Sequence, residues 1–361
     1  MSLANDLKAI VLCAGEGTRL RPLTFSKPKH LLPVAGRPLL GHVLWSLAEA
    51  GLREVGLVVG HHPEAVQRYV GDGELWGLTA TYITQEQPLG LGHAVKQTRD
   101  FVGDNPFIVY LGDNLLENGI NDFVQDFQQH RPDAALLLKA VPDPRRYGVA
   151  VLDDQQRVVR LVEKPADPPS NLAIVGVYAF QSAIFDAIDH IQPSARGELE
   201  ITDAIQYLVD HGRTVRARIM QGFWEDAGEP RSLLVANRRY LDRLEHLIQG
   251  KLGSECTIEG TACIGKGTRI TGSKLRGPCL IGRNCVIERS TIGPYASIGD
   301  GCVITDSHIE DSVIQDDCQI SQLPAGLKGS VLGEKVQITG GAPMTGPLTM
   351  ILGDMAQIRM F

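Results

Sequence analysis

The sequence predicts an α/β domain with a mostly parallel sheet, followed by a parallel β-helix. Three observations carry this: apolar runs alternate with helix-like segments as far as about Arg218, the hydrophobic period changes after Gly250, and a glycine-rich loop directly follows the first run. A chain of 361 residues also exceeds the usual size of a single core, which favours two domains.

Ala9–Leu12, Val55–Val59, Phe107–Leu111, Ala135–Lys139 and Val175–Phe180 read as strands, with Pro38–Ala50, Pro63–Tyr69 and Ile120–His130 as helices between them. This β-α-β rhythm gives a sheet covered by helices on both faces, and such sheets bind ligands beyond the carboxyl ends of their strands. Residues 1–228 are therefore expected to form the first domain. Residues 229–250 read as a helical connector, because Leu233, Leu234, Ala236, Asn237, Tyr240, Leu241, Leu244 and Leu247 recur at helical spacing.

Past Gly250 isoleucine returns about every six positions within three stretches, Ile258, Ile264 and Ile270, then Ile281 and Ile287, then Ile292, Ile298, Ile304, Ile309, Ile314 and Ile320. A helix would repeat every three or four residues and a hairpin every two. A period near six suits flat stacked coils, each turning one aliphatic residue per face inward. Residues 251–361 are expected to be a left-handed parallel β-helix of hexapeptide repeats. Where the interval shrinks to five, near residues 287–292 and 304–314, irregular turns are expected.

Composition narrows the partners. A net charge of -7 with no long basic run argues against nucleic acid. Met1–Asp6 has neither the basic nor the apolar region of a signal peptide, and no stretch approaches the roughly 18 apolar residues of a membrane span. No membrane partner and a cytoplasmic location are the expectation. The seven cysteines, Cys13, Cys256, Cys263, Cys279, Cys285, Cys302 and Cys318, include no Cys-x-x-Cys pair and read as reduced core fillers.

The sharpest local signal is Leu12-Cys13-Ala14-Gly15-Glu16-Gly17-Thr18-Arg19-Leu20. Glycines let the backbone approach an anion and Arg19 adds a fixed charge, so the loop reads as a triphosphate cradle. A P-loop would need Lys-Ser or Lys-Thr where Thr18-Arg19 stands. A dinucleotide fingerprint would need a small residue at Leu20 and an acidic ribose ligand about twenty residues on, near Ala35 to Pro38, where there is none. Within ten residues comes Lys27-Pro28-Lys29-His30-Leu31-Leu32-Pro33-Val34.

Gly17-Thr18-Arg19-Leu20, with Pro28-Lys29 and Leu31-Leu32-Pro33, resembles the signature of sugar-nucleotide pyrophosphorylases. Six further ordered blocks extend the likeness: Gln85–Ala94, Tyr110–Asn114, Tyr147–Ala150, Val162–Pro165, Arg196–Asp203 and Trp224–Gly228. Within that family the chain most resembles long-form glucose-1-phosphate thymidylyltransferases, which carry a C-terminal extension. Ala14 stands where many members have glycine, a departure a methyl group tolerates unless the backbone needs a positive φ.

The resemblance implies a Rossmann-like nucleotidyltransferase domain that joins dTTP, or alternatively UTP, to α-D-glucose 1-phosphate and releases pyrophosphate. It implies Mg2+ held by Asp113 and Asp226, and Arg19 and Lys29 as the catalytic cations. Leu12, Ala14, Gly15, Gly17, Thr18, Gln85, Gly90 and Asp113 would contact the nucleotide, and Gly148, Glu163, Lys164 and Val177 the sugar phosphate. The attacking phosphate oxygen is already ionised, so no general base is assigned.

The flat faces of a β-helix suit association into a homo-oligomer. Two other readings have less support. Acetyl transfer by the β-helix would need a His and a Tyr ahead of a Gly-Asp-Ser stretch, and residues 323–330 offer neither. A non-catalytic regulator would be expected to lose one of Arg19, Lys29, Asp113, Lys164 and Asp226, all of which are present.

Overall fold

The computed structural model describes residues 7–60, 63–341 and 345–360; the segment Met1–Asp6, on which the signal-peptide expectation rests, lies outside the described residues. Two compact units emerge. One joins the chain up to Gly15 with Leu40–Trp224, and the other joins Glu16–Leu39 with Glu225 onward. The division is therefore not the linear one expected at residues 228 and 250. Residues 16–39 fold with the C-terminal part because Ala35 N–H donates to Asn237 Oδ1 at 2.9 Å, and Gly36 and Gly353 leave room for Leu280 and for the Pro22 carbonyl.

The first unit holds a nine-stranded sheet. Its strands are Lys8–Cys13 (β1), Glu54–Val59 (β2), Thr79–Thr84 (β3), Phe107–Leu111 (β4), Ala134–Ala140 (β5), Gly148–Leu152 (β6), Val158–Glu163 (β7), Leu172–Phe180 (β8) and Val215–Ile219 (β9). Their order is β7-β6-β8-β4-β1-β2-β3, with β5 on the other side of β8 and β9 beyond β5. Leu12 on β1 pairs in parallel with Val58 and with Leu111, and Val59 pairs with Thr84. Only β8, which opposes β4, β5 and β6, and β7, which opposes β6, run the other way, so seven of the nine strands share one direction. The expected mostly parallel sheet is found, along with a β6–β7 hairpin that the sequence pattern did not single out.

Ile10 and Leu12 enter one core with Phe107 and Val109, to which the helices Leu91–Lys96, Ala183–His190 and Ile201–Asp210 contribute Val95, Ile188 and Leu208. Ala9 and Val11, which point the opposite way, are equally buried. A sheet buried on both sides reads as continuous apolar runs, as these strands do.

In the second unit the helix Pro230–Leu241 starts with proline in its first turn and stops well short of Gly250. The expected connector is thus too long. Leu247–Ile248 already pairs with Cys263–Ile264 as the first strand of the β-helix, because ladder pairing to the next coil outweighs helical spacing.

One face of the β-helix has seven strands, from Leu247–Ile248 to Ile351–Leu352. Ile270 pairs with Ile287 and Ile287 with Ile304, a coil of 17 residues (287 − 270). The five-residue step from Ile287 to Ile292 is matched by Ile270 to Leu275 and Ile304 to Ile309, whose residues stack. It is a regular short side of each coil, not the irregular turn expected. The second expected slip is present: Ile298 pairs with Ile314, 16 residues on (314 − 298), and the register shifts again between Ser307 and Ile309.

Corners recur with left-handed residues, Gly267, Asn284, Gly301 and Asp317 along one edge and Gly272, Arg289, Asp306 and Gln322 along another. Gly, Asn and Asp adopt that conformation at least cost, which explains why they punctuate the isoleucines. Inside, the thiols of Cys285, Cys302 and Cys318 donate to the carbonyls of Gly299, Gln315 and Gly333 at 3.1, 3.2 and 3.1 Å. The seven cysteines form no disulfide; Cys13, Cys279, Cys285, Cys302 and Cys318 are buried as expected of core fillers, whereas Cys256 and Cys263 are partly exposed.

Candidate active site

In the first unit the ends of the parallel strands converge. Gly112 N–H donates to Leu12 O at 3.0 Å, and Gln85 N–H donates to Val59 O at 2.8 Å. Ala14, Gln85 and Asp113 therefore lie just past β1, β3 and β4 on the carboxyl edge, where open α/β sheets bind ligands. Ala14 does not take a positive φ, so its methyl group in place of hydrogen brings no backbone strain. Leu12 is different from expectation in detail: its side chain belongs to the core with Ile10, and its carbonyl is taken by Gly112.

The Asp113 carboxylate is buried and oriented. Asn114 Nδ2 donates to its Oδ1 at 3.1 Å, and Trp224 Nε1 donates to Asn114 Oδ1 at 2.7 Å. Tyr147 packs on the indole with ring centroids 5.0 Å apart. Gly176 sits in the β8 bulge at φ 49°, where a Cβ would come within 2.9 Å of Asn114 Cγ. Asn114, Trp224 and Gly176 are thus the support for Asp113 that sequence reasoning did not identify. Val177, next to Gly176 and opposite Tyr110, has a fully buried side chain and could offer a ligand only its backbone.

Gln85 is 6% exposed, and its Nε2 lies 3.4 Å from Gly90 O and 3.0 Å from His93 Nδ1. Burial, and then Lys96, lowers the His93 pKa below its ordinary value, so the neutral ring accepts at Nδ1. Holding the amide nitrogen in this way turns Oε1 into the group that can read a base. Gly90, at φ 102°, makes room for protein: a Cβ there would lie 2.7 Å from Leu199 O.

Glu163 closes β7 opposite Gly148 on β6, and a Cβ at Gly148 would lie 3.1 Å from Glu163 Oε2. Thr202 Oγ1 donates to that oxygen at 3.1 Å, while Arg196 Nη2 and Lys164 Nζ each lie 3.3 Å from Oε1. Arg196 is shared with Glu200 at 2.7 Å. Lys164 holds φ 41°, a strained value for a side chain with a Cβ, and strain of this kind concentrates at functional positions. Arg196 and Thr202 received no role from the sequence, although both lie in the block Arg196–Asp203.

The second unit gathers the remaining candidates. Gly17 at φ 66° allows Lys29 close, since a Cβ there would be 2.9 Å from Lys29 Cβ, and Thr24 Oγ1 donates to Gly17 O at 2.8 Å. Thr18 follows it, exposed; Gly15, also exposed, belongs to the first unit. Arg19 Nη1 is 3.3 Å from Glu229 Oε1. A Cβ at Gly228 would lie 2.6 Å from Arg19 Nη2 and 3.1 Å from Asp226 Oδ1, so cation and carboxylate converge on that glycine.

Carboxylates are the hard oxygen donors that magnesium prefers, and the buried, hydrogen-bonded Asp113 fits such a role. Among the described residues no group of three or more His, Cys, Asp or Glu is placed to hold a metal. Magnesium commonly needs only one or two carboxylates when substrate phosphates complete its shell. Among the described residues no helix is long and apolar enough to cross a membrane.

Residues 8–243 match the family model described as nucleotidyl transferase. The chain is 43% identical to a glucose-1-phosphate thymidylyltransferase of Streptomyces antibioticus, over 98% of this chain and 99% of the relative. It is 39% identical to a low-salt glycan biosynthesis nucleotidyltransferase of Haloferax volcanii, over 98% of this chain and 100% of the relative. A Bacillus anthracis crystal structure described as a glucose-1-phosphate thymidylyltransferase, in complex with a sucrose, superposes with a TM-score of 0.62 at 34% identity, covering 67% of this chain and 98% of that one. The chain belongs to the nucleotidyl transferase family, among the sugar-nucleotide pyrophosphorylases.

Proposed function

We propose that the protein transfers the thymidylyl group of dTTP to α-D-glucose 1-phosphate, giving dTDP-glucose and pyrophosphate. The observation that carries this is the likeness to the Streptomyces antibioticus enzyme, which runs through the β-helix as well as the sheet domain.

A phosphate oxygen of the sugar attacks the α-phosphorus of dTTP. The new P–O bond forms as the bond to the bridging oxygen of the β-phosphate breaks, and the electron pair leaves on pyrophosphate. In-line attack inverts the configuration at phosphorus. The nucleophile is an anion, so no side chain need remove a proton; the residues position the reactants and neutralise charge.

Arg19 grips triphosphate oxygens in bidentate fashion, and Lys29 meets the leaving pyrophosphate as a compact charge. Backbone groups of Ala14, Gly15, Gly17 and Thr18 line the phosphates. Gln85 Oε1 accepts the N3–H of thymine. Glu163 accepts sugar hydroxyls beside backbone groups of Gly148 and Val177, and Lys164 pairs with the sugar phosphate. Mg2+, held by Asp113 and Asp226, would neutralise phosphate charge.

UTP is the second reading, because an amide that reads N3–H treats uracil and thymine alike. Their single methyl difference is worth about 1 kcal/mol of burial. Cysteines outside any disulfide fit a cytoplasmic setting. Phosphorus NMR of the protein with magnesium, dTTP and glucose 1-phosphate is the test: growth of paired diphosphate-sugar resonances and pyrophosphate supports the assignment, and unchanged substrates refute it.

A further inference from the structure

Lys27 lies in the conspicuous run that leads to Lys29, yet the reaction as described leaves it without a role. Its side chain is 11% exposed and meets three acceptors: Gln315 Oε1 at 2.8 Å, the Glu334 carboxylate, and Asp354 Oδ2 at 3.4 Å. These follow the strands Val313–Ile314, Val331–Leu332 and Ile351–Leu352, which stack in register, so they come from one corner of three successive coils. Ser26 Oγ donates to Asp354 Oδ2 at 2.6 Å, and Asp354 Oδ1 accepts from Glu334 N–H at 2.8 Å. Gly353 lets the same corner approach the Pro22 carbonyl.

Removing this nearly buried ammonium is costly chiefly because Asp354, 11% exposed like Lys27, is left uncompensated, while Glu334, 44% exposed, is still reached by water. Between Lys27 and Lys29 stands only Pro28, with its φ fixed near -59°. Lys29 then opens a short helical turn whose stem is pressed against Gly17. An anchor at Lys27 therefore reaches Lys29 through one stiff residue.

We propose that Lys27 is a positioning residue, tying the Lys29 segment to the β-helix so that the stacked coils hold a catalytic cation in place. The role rests on the assignment of Lys29 above; the tie itself does not. Misplacement of about 1 Å can cost about a hundredfold in rate, so loss of the tie should be felt mainly in turnover.

The experiment compares the full-length protein with Lys27→Met, Lys27→Arg and the double variant Lys27→Met/Glu334→Gln, which removes charge from both sides and guards against a corner that unfolds. Hydrogen exchange of residues 17–32 and steady-state pyrophosphate release are both recorded. Lys27→Met and the double variant should exchange faster in that segment while the coils around Ile287 stay protected. Their kcat should fall about tenfold or more, with the KM for sugar phosphate within about twofold, and Lys27→Arg should recover most of it. Unchanged exchange overturns the tie, and faster exchange with unchanged kcat overturns the positioning role. If the wild-type protein releases no pyrophosphate with any substrate pair, the reaction fails on its own, and the exchange result alone decides the tie.

Discussion

Asp113 is held by Asn114, which is held in turn by the Trp224 indole, and that chain makes the carboxylate a fixed donor. Asp113→Asn and Asp226→Asn should each abolish magnesium-dependent turnover with unchanged circular dichroism; full activity in either would remove that residue from the metal assignment. Lys29→Ala should lower kcat more than it raises the sugar phosphate KM, and Lys164→Ala should do the reverse, which steady-state kinetics separates. His93 adds a pH dependence. Its pKa is lowered by burial, so the folded chain keeps the ring neutral where the unfolded chain protonates it. That stabilisation is complete above about pH 6.5 and is lost as pH falls through the folded value. The KM for dTTP should rise over the same window, and His93→Asn, whose Oδ1 still accepts but does not titrate, should flatten the rise. Legibility at this scale followed chain proximity. Asp113 stood out at the end of its apolar run, and Gln85 and Glu163 only through the motif blocks that hold them, whereas Arg196 and Thr202 reach Glu163 only after folding, across 33 and 39 positions. Gly90 was legible as a special glycine, but its reason, the Leu199 backbone, was not.

The strands β1, β2 and β4 could be read from their apolar runs because both faces of the sheet are covered, so every position along them is uncharged except Lys8 and Glu54, which open β1 and β2. The hairpin β6–β7 was missed because exposed residues such as Val159 and Arg160 interrupt the pattern. In the β-helix the six-residue period was correct on average, but the coil is 17 residues long, so one side in three is a residue short. Ile304→Ala removes a fully buried rung with coils above and below it, and should cost about 2–5 kcal/mol in thermal or denaturant unfolding. The thiol ladder makes a separate prediction. Cys256 and Cys263, which are partly exposed, should react with a thiol reagent in the native protein, while the five buried cysteines should react only after unfolding. Fast native reaction at Cys285 or Cys302 would contradict the packing described.

Across the whole chain the least legible feature was the company kept by residues 16–39. Sequence order puts them inside the sheet domain, but Lys27 meets Glu334 across 307 positions and Ala35 meets Asn237 across 202, distances no local pattern encodes. The helix at Pro230–Leu241 ended early for a related reason, since Leu247 and Ile248 are claimed by the next coil. Cations and carboxylates assigned to one reaction are thus drawn from segments far apart in sequence, and the reaction itself is the claim on which their roles depend. Pyrophosphate release by the purified protein with magnesium, across dTTP, UTP, GTP, ATP and CTP, each paired with glucose, mannose, galactose and N-acetylglucosamine 1-phosphates, tests it most directly. The proposed reaction gives its highest kcat/KM for dTTP with glucose 1-phosphate, with UTP next. Preference for a purine nucleotide, or no release with any pair, would contradict it.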